Sequence, residues 1–278
     1  MTTIMNIGFN RAESNPMATT PSVLITGAST GIGATYADRF ARRGHDLVLV
    51  ARDRKRMEAL ATRLKQETGV AIDIIQADLT QPADLAVVET RLREDARIGI
   101  LVNNAGTALG GSFTEQSTDD VTRLLTLNTT ALLRLTSAVA PRFARAGEGA
   151  IINIGSVVGL APEFGTAVYG ATKAFVLFLS QGLNLELGPK GVYVQAVLPA
   201  ATRTEIWGHA GVDVNTIPGV MEVGELVDAA LAGFELREAV TIPPLPDVEQ
   251  WDTYQAARQA LLPSTSQAHA AARYRPAA

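Results

Sequence analysis

The 278-residue chain contains no cysteine, which excludes disulfides, thiolate nucleophiles and cysteine-ligated metals. Its three histidines, His45, His209 and His269, are far apart and lack the HExxH spacing that sets two imidazoles on one helix face. No metal site is expected. Positive charge is not in excess: 24 Lys and Arg against 28 Asp and Glu leave a net charge of −4. With no basic stripe to neutralise phosphates, no nucleic-acid partner is expected. The one dense run, RDRKR (52–56), reads as a solvated helix start. Long apolar runs are also missing, so nothing reaches the ~20 residues that span a bilayer. The opening MTTIMNIGFNRAESNPMATTPS lacks the charged start, apolar stretch and cleavage site of a secretory signal. Residues 1–20 are expected to form a disordered tail, with Met17 an alternative start, and the protein to be cytoplasmic.

What is present is ordinary core material, with 47% hydrophobic and 19% charged residues. Short, nearly continuous apolar runs recur: SVLIT (22–26), DLVLV (46–50), IDIIQ (72–76), GILVN (99–103), AIINI (150–154), VYVQAVL (192–198) and, more weakly, AVTI (239–242). Such runs fit strands covered on both faces. Helical patterns lie between them, the longest over 118–146 and 169–187. This alternation predicts right-handed βαβ units and an α/β fold. The expected architecture over 21–245 is a single doubly wound (Rossmann) domain of about seven parallel strands with helices on both faces. Residues 199–221 lose the periodicity and read as a mobile flap. Residues 246–278 form an extension with a helical EQWDTYQAARQALL, whose place the sequence leaves open.

The first strand runs into TGASTGIG (26–33) and directly on into a helix. Gly27, Gly31 and Gly33 permit a tight turn and close approach, and with Ser29, Thr30 and Ile32 they surround free N–H groups suited to a pyrophosphate. A plain glycine-rich turn is the competing reading. The second strand ends in VLVARDR, where an acid would hold ribose hydroxyls and an Arg would accommodate a 2′-phosphate. Arg52 favours NADP(H), with NAD(H) also allowed, unless the side chain merely faces solvent. Asp78, followed by Leu79, either accepts from an adenine amino group or caps the next helix. NNAG (103–106) brings Asn104, Ala105 and Gly106 to the same edge. Tyr169 and Lys173 in VYGATK are one helical turn apart and so are neighbours.

TGASTGIG, NNAG, Ser156 in INIGS and Tyr169-Gly-Ala-Thr-Lys173, in this order and spacing, resemble the short-chain dehydrogenase/reductase family, the branch with TGxxxGxG and YxxxK motifs. The resemblance covers about residues 22–242. It implies a catalytic set of Asn128, Ser156, Tyr169 and Lys173, with Lys173 and Tyr169 also touching the cofactor. Pro199, Thr202 and Thr204 of LPAATRTE match the segment that closes on the nicotinamide, although Ala200 stands where the family usually has Gly.

A free tyrosine has a pKa of about 10, so a phenol acting near neutrality needs stabilisation of its phenolate, part of which a lysine one turn away supplies. Tyr169 would then exchange a proton with a carbonyl or alcohol oxygen that Ser156 polarises. The resemblance adds a water held by Asn128 that links Lys173 to solvent. The segments 107–116 and 157–168 and the flap residues Ile206, Trp207, Val212 and Met221 are mostly apolar, with Arg203 the exception. They predict a neutral, fairly hydrophobic ketone or alcohol as substrate. A homodimer or homotetramer paired through helices 118–146 and 169–187 is expected. A non-catalytic dinucleotide-binding regulator on the same fold is the alternative. A serine hydrolase is disfavoured because GSVVG is not GxSxG.

Overall fold

A computed structural model describes residues 20–209, 211 and 213–275. Met17 and the rest of 1–19, and Val212 of the expected flap, lie outside the described residues. The apolar runs become strands covered on both faces. β1 (Ser22–Thr26), β2 (Leu47–Ala51), β5 (Ala150–Ile154) and β6 (Tyr193–Val197) are buried throughout, and β4 (Ile98–Asn103) at all but Gly99. β3 (Ile72–Gln76) and the two-residue β7 (Val240–Thr241) are less buried because they close the edges. All seven pair in parallel in one sheet of order β3-β2-β1-β4-β5-β6-β7. The order reverses between β1 and β4, which opens a crevice at their carboxyl ends.

α1 (Gly31–Arg42), α2 (Arg54–Thr68) and α8 (Val223–Glu235) cover one face, with Tyr36, Phe40, Met57, Leu64, Val227 and Leu231 in a common core. α3 (Pro82–Glu94), α5 (Leu132–Ala146) and α6 (Ala167–Leu187) cover the other through Val88, Leu92, Leu135, Val139, Phe143 and Leu187. The single doubly wound domain is therefore as expected. One crossover differs. β6 and β7 are parallel neighbours, yet α8 lies on the α1 face and not with α6, so this connection is left-handed instead of right-handed. The long segment 198–222 allows it by carrying the chain across the carboxyl edge before α8 begins.

The stretch 118–146, expected as one regular helix, is interrupted. α4 (Thr118–Leu125) starts at Ser117, whose hydroxyl accepts from the Asp120 amide, and a π turn at Thr126–Ala131 then leads into α5. A π turn inserts one extra residue and redirects side chains; buried Asn128 lies within it.

The aperiodic segment after β6 has a pinned base. Arg203 N donates to Met221 O at 3.0 Å and Met221 N to Ala201 O at 2.9 Å. Between them is the one-turn α7 (Ile206–His209), with Trp207 Nε1 donating to Thr202 O at 2.7 Å. Beyond β7, α9 (Val248–Ala260) and α10 (Leu262–Thr265) form the C-terminal extension. Trp251 packs on a small cluster of Leu177, Ala196 and Leu198 that also receives Val157 and Leu160. Among the described residues, no helix is long and apolar enough to cross a membrane.

Candidate active site

β1 ends in a turn in which Gly27 (φ 65°) and Gly31 (φ 54°) take left-handed backbone angles that L side chains rarely adopt. Gly33 needs its missing side chain for a different reason: a Cβ there would run into the Gly27 carbonyl and come within 2.5 Å of the Asn104 amide. Thr30, the residue before α1, makes no side-chain cap, and no acid sits in the first turn. The open N–H groups and the helix dipole thus favour an anion at the end of β1. Ser29 and Thr30 are partly exposed along this turn, and Ile32 packs against the core beneath it.

Asn104 and Ala105 are tied to the same turn. Their amides both donate to Thr26 Oγ1 at 3.0 Å, and Asn104 Nδ2 donates to Thr26 O at 2.9 Å. Thr26, which the motif contains but sequence reasoning passed over, is therefore the hub joining β1 to β4. Arg52 is exposed at the end of β2, and its guanidinium makes no ion pair among the described residues. Asp78 accepts from Thr80 N at 3.0 Å and Thr80 Oγ1 at 2.7 Å, so its carboxylate closes a local turn. It does not cap α3, whose start is at Gln81. Leu79 is buried in the core, which leaves only its backbone for the crevice.

Ser156 follows β5 and is buried; its Oγ donates to Pro199 O at 3.2 Å and lies 3.4 Å from the Val158 amide. Pro199 thereby braces Ser156, and Thr202 Oγ1 donates to Ala200 O at 3.0 Å. Thr204 lies over the start of α1, its methyl 3.3 Å from where a Cβ on Gly31 would be.

Tyr169 and Lys173 are on the first turns of α6. Lys173 is buried, its Nζ donates to Ile154 O at 2.9 Å, and it lies 5.6 Å from the Tyr169 ring centre. Burial pushes the Tyr169 phenol up to about 12, only partly offset by the Ser156 hydroxyl, and pulls Lys173 down to about 8. In the protein by itself desolvation sets the direction of the Tyr169 shift.

Asn128 accepts from Thr107 N at 2.9 Å and donates to Thr107 O at 2.9 Å and to Thr172 Oγ1 at 3.2 Å. Thr172 in turn donates to Tyr169 O at 2.7 Å, so Asn128 joins the loop after β4 to the Tyr169 turn. Gly106 sits between: a Cβ there would be 3.3 Å from Asn128 Oδ1 and 3.8 Å from Lys173 Nζ. Its bare backbone keeps open the space that the two polar groups share. Thr107 and Thr172 were not among the predicted site residues, although Thr172 stands inside YGATK.

A family model described as short chain dehydrogenase matches residues 21–214. A short-chain dehydrogenase from Sphingobium yanoikuyae, solved in complex with NADPH, is 71% identical over 92% of this chain and 100% of that one, with a TM-score of 0.91. A "bulky-bulky ketone specific" alcohol dehydrogenase from Comamonas testosteroni is 65% identical over 92% and 99% of the two chains, with a TM-score of 0.87. Human 17-beta-hydroxysteroid dehydrogenase type 3 is 32% identical over 86% of this chain and 79% of its own length. With the Rossmann sheet, the uncapped glycine turn and the matching model together, the chain belongs to the short-chain dehydrogenase/reductase family of oxidoreductases.

Proposed function

We propose that the protein is an NADP(H)-dependent carbonyl reductase or alcohol dehydrogenase acting on a neutral, fairly hydrophobic ketone or its alcohol. The observation that carries this reading is that Asn128 and Lys173 meet beside Gly106, while Lys173 also lies against the Tyr169 ring and the Ser156 hydroxyl bonds the Tyr169 phenol. The crevice fits a phosphorylated dinucleotide: open N–H groups start α1, and Arg52 stands exposed at the end of β2 with no ion pair among the described residues. The Sphingobium relative carries NADPH, which supports the same cofactor here.

NADP(H), when bound, supplies or accepts the hydride. Tyr169 gives its phenolic proton to the carbonyl oxygen in reduction and takes one from the alcohol in oxidation. Ser156 exchanges its Pro199 acceptor for the substrate oxygen and polarises the C=O bond. Lys173, buried against Ile154 O, holds positive charge beside the Tyr169 ring and binds the nicotinamide ribose. Asn128 fixes the Thr107 loop and holds a water on the way from Lys173 to solvent.

Apolar side chains support the substrate class. Phe113 and Phe164 are exposed on the loops after β4 and β5, and Leu160, Ile206 and Trp207 are partly exposed nearby in the fold. Arg203, the exception among these side chains, contacts Glu222 at 2.8 Å and Asn215 at 2.9 Å. The Comamonas relative, a "bulky-bulky ketone specific" alcohol dehydrogenase, points the same way.

In this reading residues 21–245 carry cofactor and chemistry in the cytoplasm, residues 246–278 brace the substrate side, and two or four copies assemble. The test is an NADPH and NADH oxidation screen against aryl-alkyl ketones, diketones, ketosteroids, β-ketoacyl thioesters and anionic keto acids. NADPH-linked turnover of bulky neutral ketones is expected, and a strong preference for the anionic set would refute the substrate class.

A further inference from the structure

Arg56 and Glu205 are joined across the mouth of the crevice. Arg56 Nη1 donates to both carboxylate oxygens of Glu205, at 2.9 and 2.7 Å. The two residues come from opposite walls. Arg56 is in the first turn of α2, held by Asp53, whose carboxylate accepts from the Arg56 amide at 3.0 Å and lies 3.4 Å from its Nε. Glu205 follows Thr204, which lies over Gly31 at the start of α1. Through Thr204 the pair stands close to the uncapped α1 start, and Arg52 lies four residues before Arg56 in the chain.

Both side chains are about half exposed, at 50% and 61%. An exposed carboxylate pair is a weak hold on a guanidinium. A phosphate dianion offers the same fork of acceptor oxygens with more charge. Arg54 is paired to Glu58 at 2.7 Å within α2, whereas Glu205, the partner of Arg56, belongs to the separate segment after β6.

We propose that Glu205 is a cofactor-selectivity residue: its carboxylate holds Arg56 at the crevice mouth and yields it to the 2′-phosphate of NADP(H). The proposal rests on the NADP(H) reading above. With NADP(H), Arg56 joins Arg52 on the phosphate, and Glu205, now facing that phosphate, turns away with the segment 204–209. With NAD(H), which lacks the phosphate, the pair stays closed. Glu205 thus keeps Arg56 oriented and also competes with the group Arg56 is to bind.

The test uses the full chain and its variants Arg56→Gln, Glu205→Gln and the double substitution. NADPH and NADH are titrated by quenching of protein fluorescence, and hydrogen exchange is followed over 203–209. Arg56→Gln should weaken NADPH about tenfold or more and leave NADH within about twofold. Glu205→Gln should tighten NADPH by about two- to fivefold without changing NADH, the size expected for loss of an exposed ion pair. In the double variant the glutamate substitution should have no further effect, since the two act through one contact. NADPH, and not NADH, should speed exchange over 203–209 in the wild type. Weaker binding of both cofactors in Glu205→Gln, or no change for either, would overturn the proposal. So would equal losses of NADPH and NADH in Arg56→Gln. A wild type that binds both cofactors equally overturns the cofactor reading along with it; a wild type that prefers NADPH while Glu205→Gln has no effect overturns this proposal alone.

Discussion

Lys173 donates a 2.9 Å hydrogen bond to the carbonyl of Ile154, the last residue of β5, so a buried ammonium ties the start of α6 to the sheet. A single carbonyl does not replace its lost hydration, and its pKa falls from 10.5 to about 8. Between those values the unfolded chain binds a proton that the folded chain does not, so stability rises with pH from about 8 to 10.5. Below about 8 both states are protonated and the full cost of burying the charge is present. The span of the rise is roughly 3 kcal/mol. Tyr169 acts in the opposite sense only between 10 and about 12, where the folded chain keeps a proton that the unfolded chain loses. Urea midpoints measured from pH 7 to 10 should climb for the wild type and stay flat for Lys173→Met. Parallel curves would contradict a buried, depressed lysine.

Tyr169→Phe removes the proposed proton donor and leaves the ring where Lys173 lies 5.6 Å from its centre. kcat should drop about 1,000-fold, within the range seen for loss of a general acid. NADPH affinity, read by fluorescence titration, should stay within about threefold. Retained turnover would mean the proton comes from elsewhere.

The sheet and the adjacency of Tyr169 and Lys173 are legible in the sequence because each is encoded locally. Continuous apolar runs give buried strands, and four residues of helix bring Tyr169 and Lys173 together. The bracing of that pair is not legible. Pro199 O reaches Ser156 across 43 residues, and Asn128 meets Thr172 across 44, contacts that depend on how strands and helices are stacked. The π turn is hidden too, since one inserted residue leaves the apolar periodicity of 118–146 nearly intact. The direction of the Tyr169 shift in the cofactor-free chain is not legible for a related reason: the sequence displays the lysine's charge but not the desolvation of the phenol.

Arg52→Ala should separate the cofactors. The side chain is exposed, with no ion pair among the described residues, so its loss leaves the fold undisturbed. NADPH binding should weaken about tenfold or more, as for removal of a charge-assisted phosphate contact, with NADH nearly unchanged. Equal losses would mean Arg52 does not face the 2′-phosphate.

Phe178 and Leu185 are 78% and 80% exposed and seven residues apart, which sets both on one face of α6. Leu125 and Leu133, on α4 and α5, are also exposed. Such apolar area on long helices fits a second copy of the chain. Light scattering should give a dimeric or tetrameric mass for the wild type and a smaller one for Phe178→Glu/Leu185→Glu. A monomeric wild type would remove the helix-pairing expectation.

Trp251 connects the C-terminal extension to the chemistry. It shares the Leu177–Leu198 cluster with Val157 and Leu160, the residues that follow Ser156, and it stacks on Tyr254 at 5.4 Å. Gln181 Nε2 donates to Gln255 Oε1 at 3.2 Å and secures the same helix to α6. Removing the indole leaves a void behind the loop that forms one wall of the proposed ketone site, without touching the dinucleotide turn. Trp251→Ala should therefore cost about 2 kcal/mol in urea unfolding, less than for a fully buried Trp. KM for a bulky ketone should rise about three- to tenfold, while kcat with a small ketone and NADPH affinity stay near wild type. That split separates wall support from global loosening, which would weaken cofactor and small ketone alike. An unchanged KM for the bulky ketone would show that the extension stabilises the fold without shaping the site.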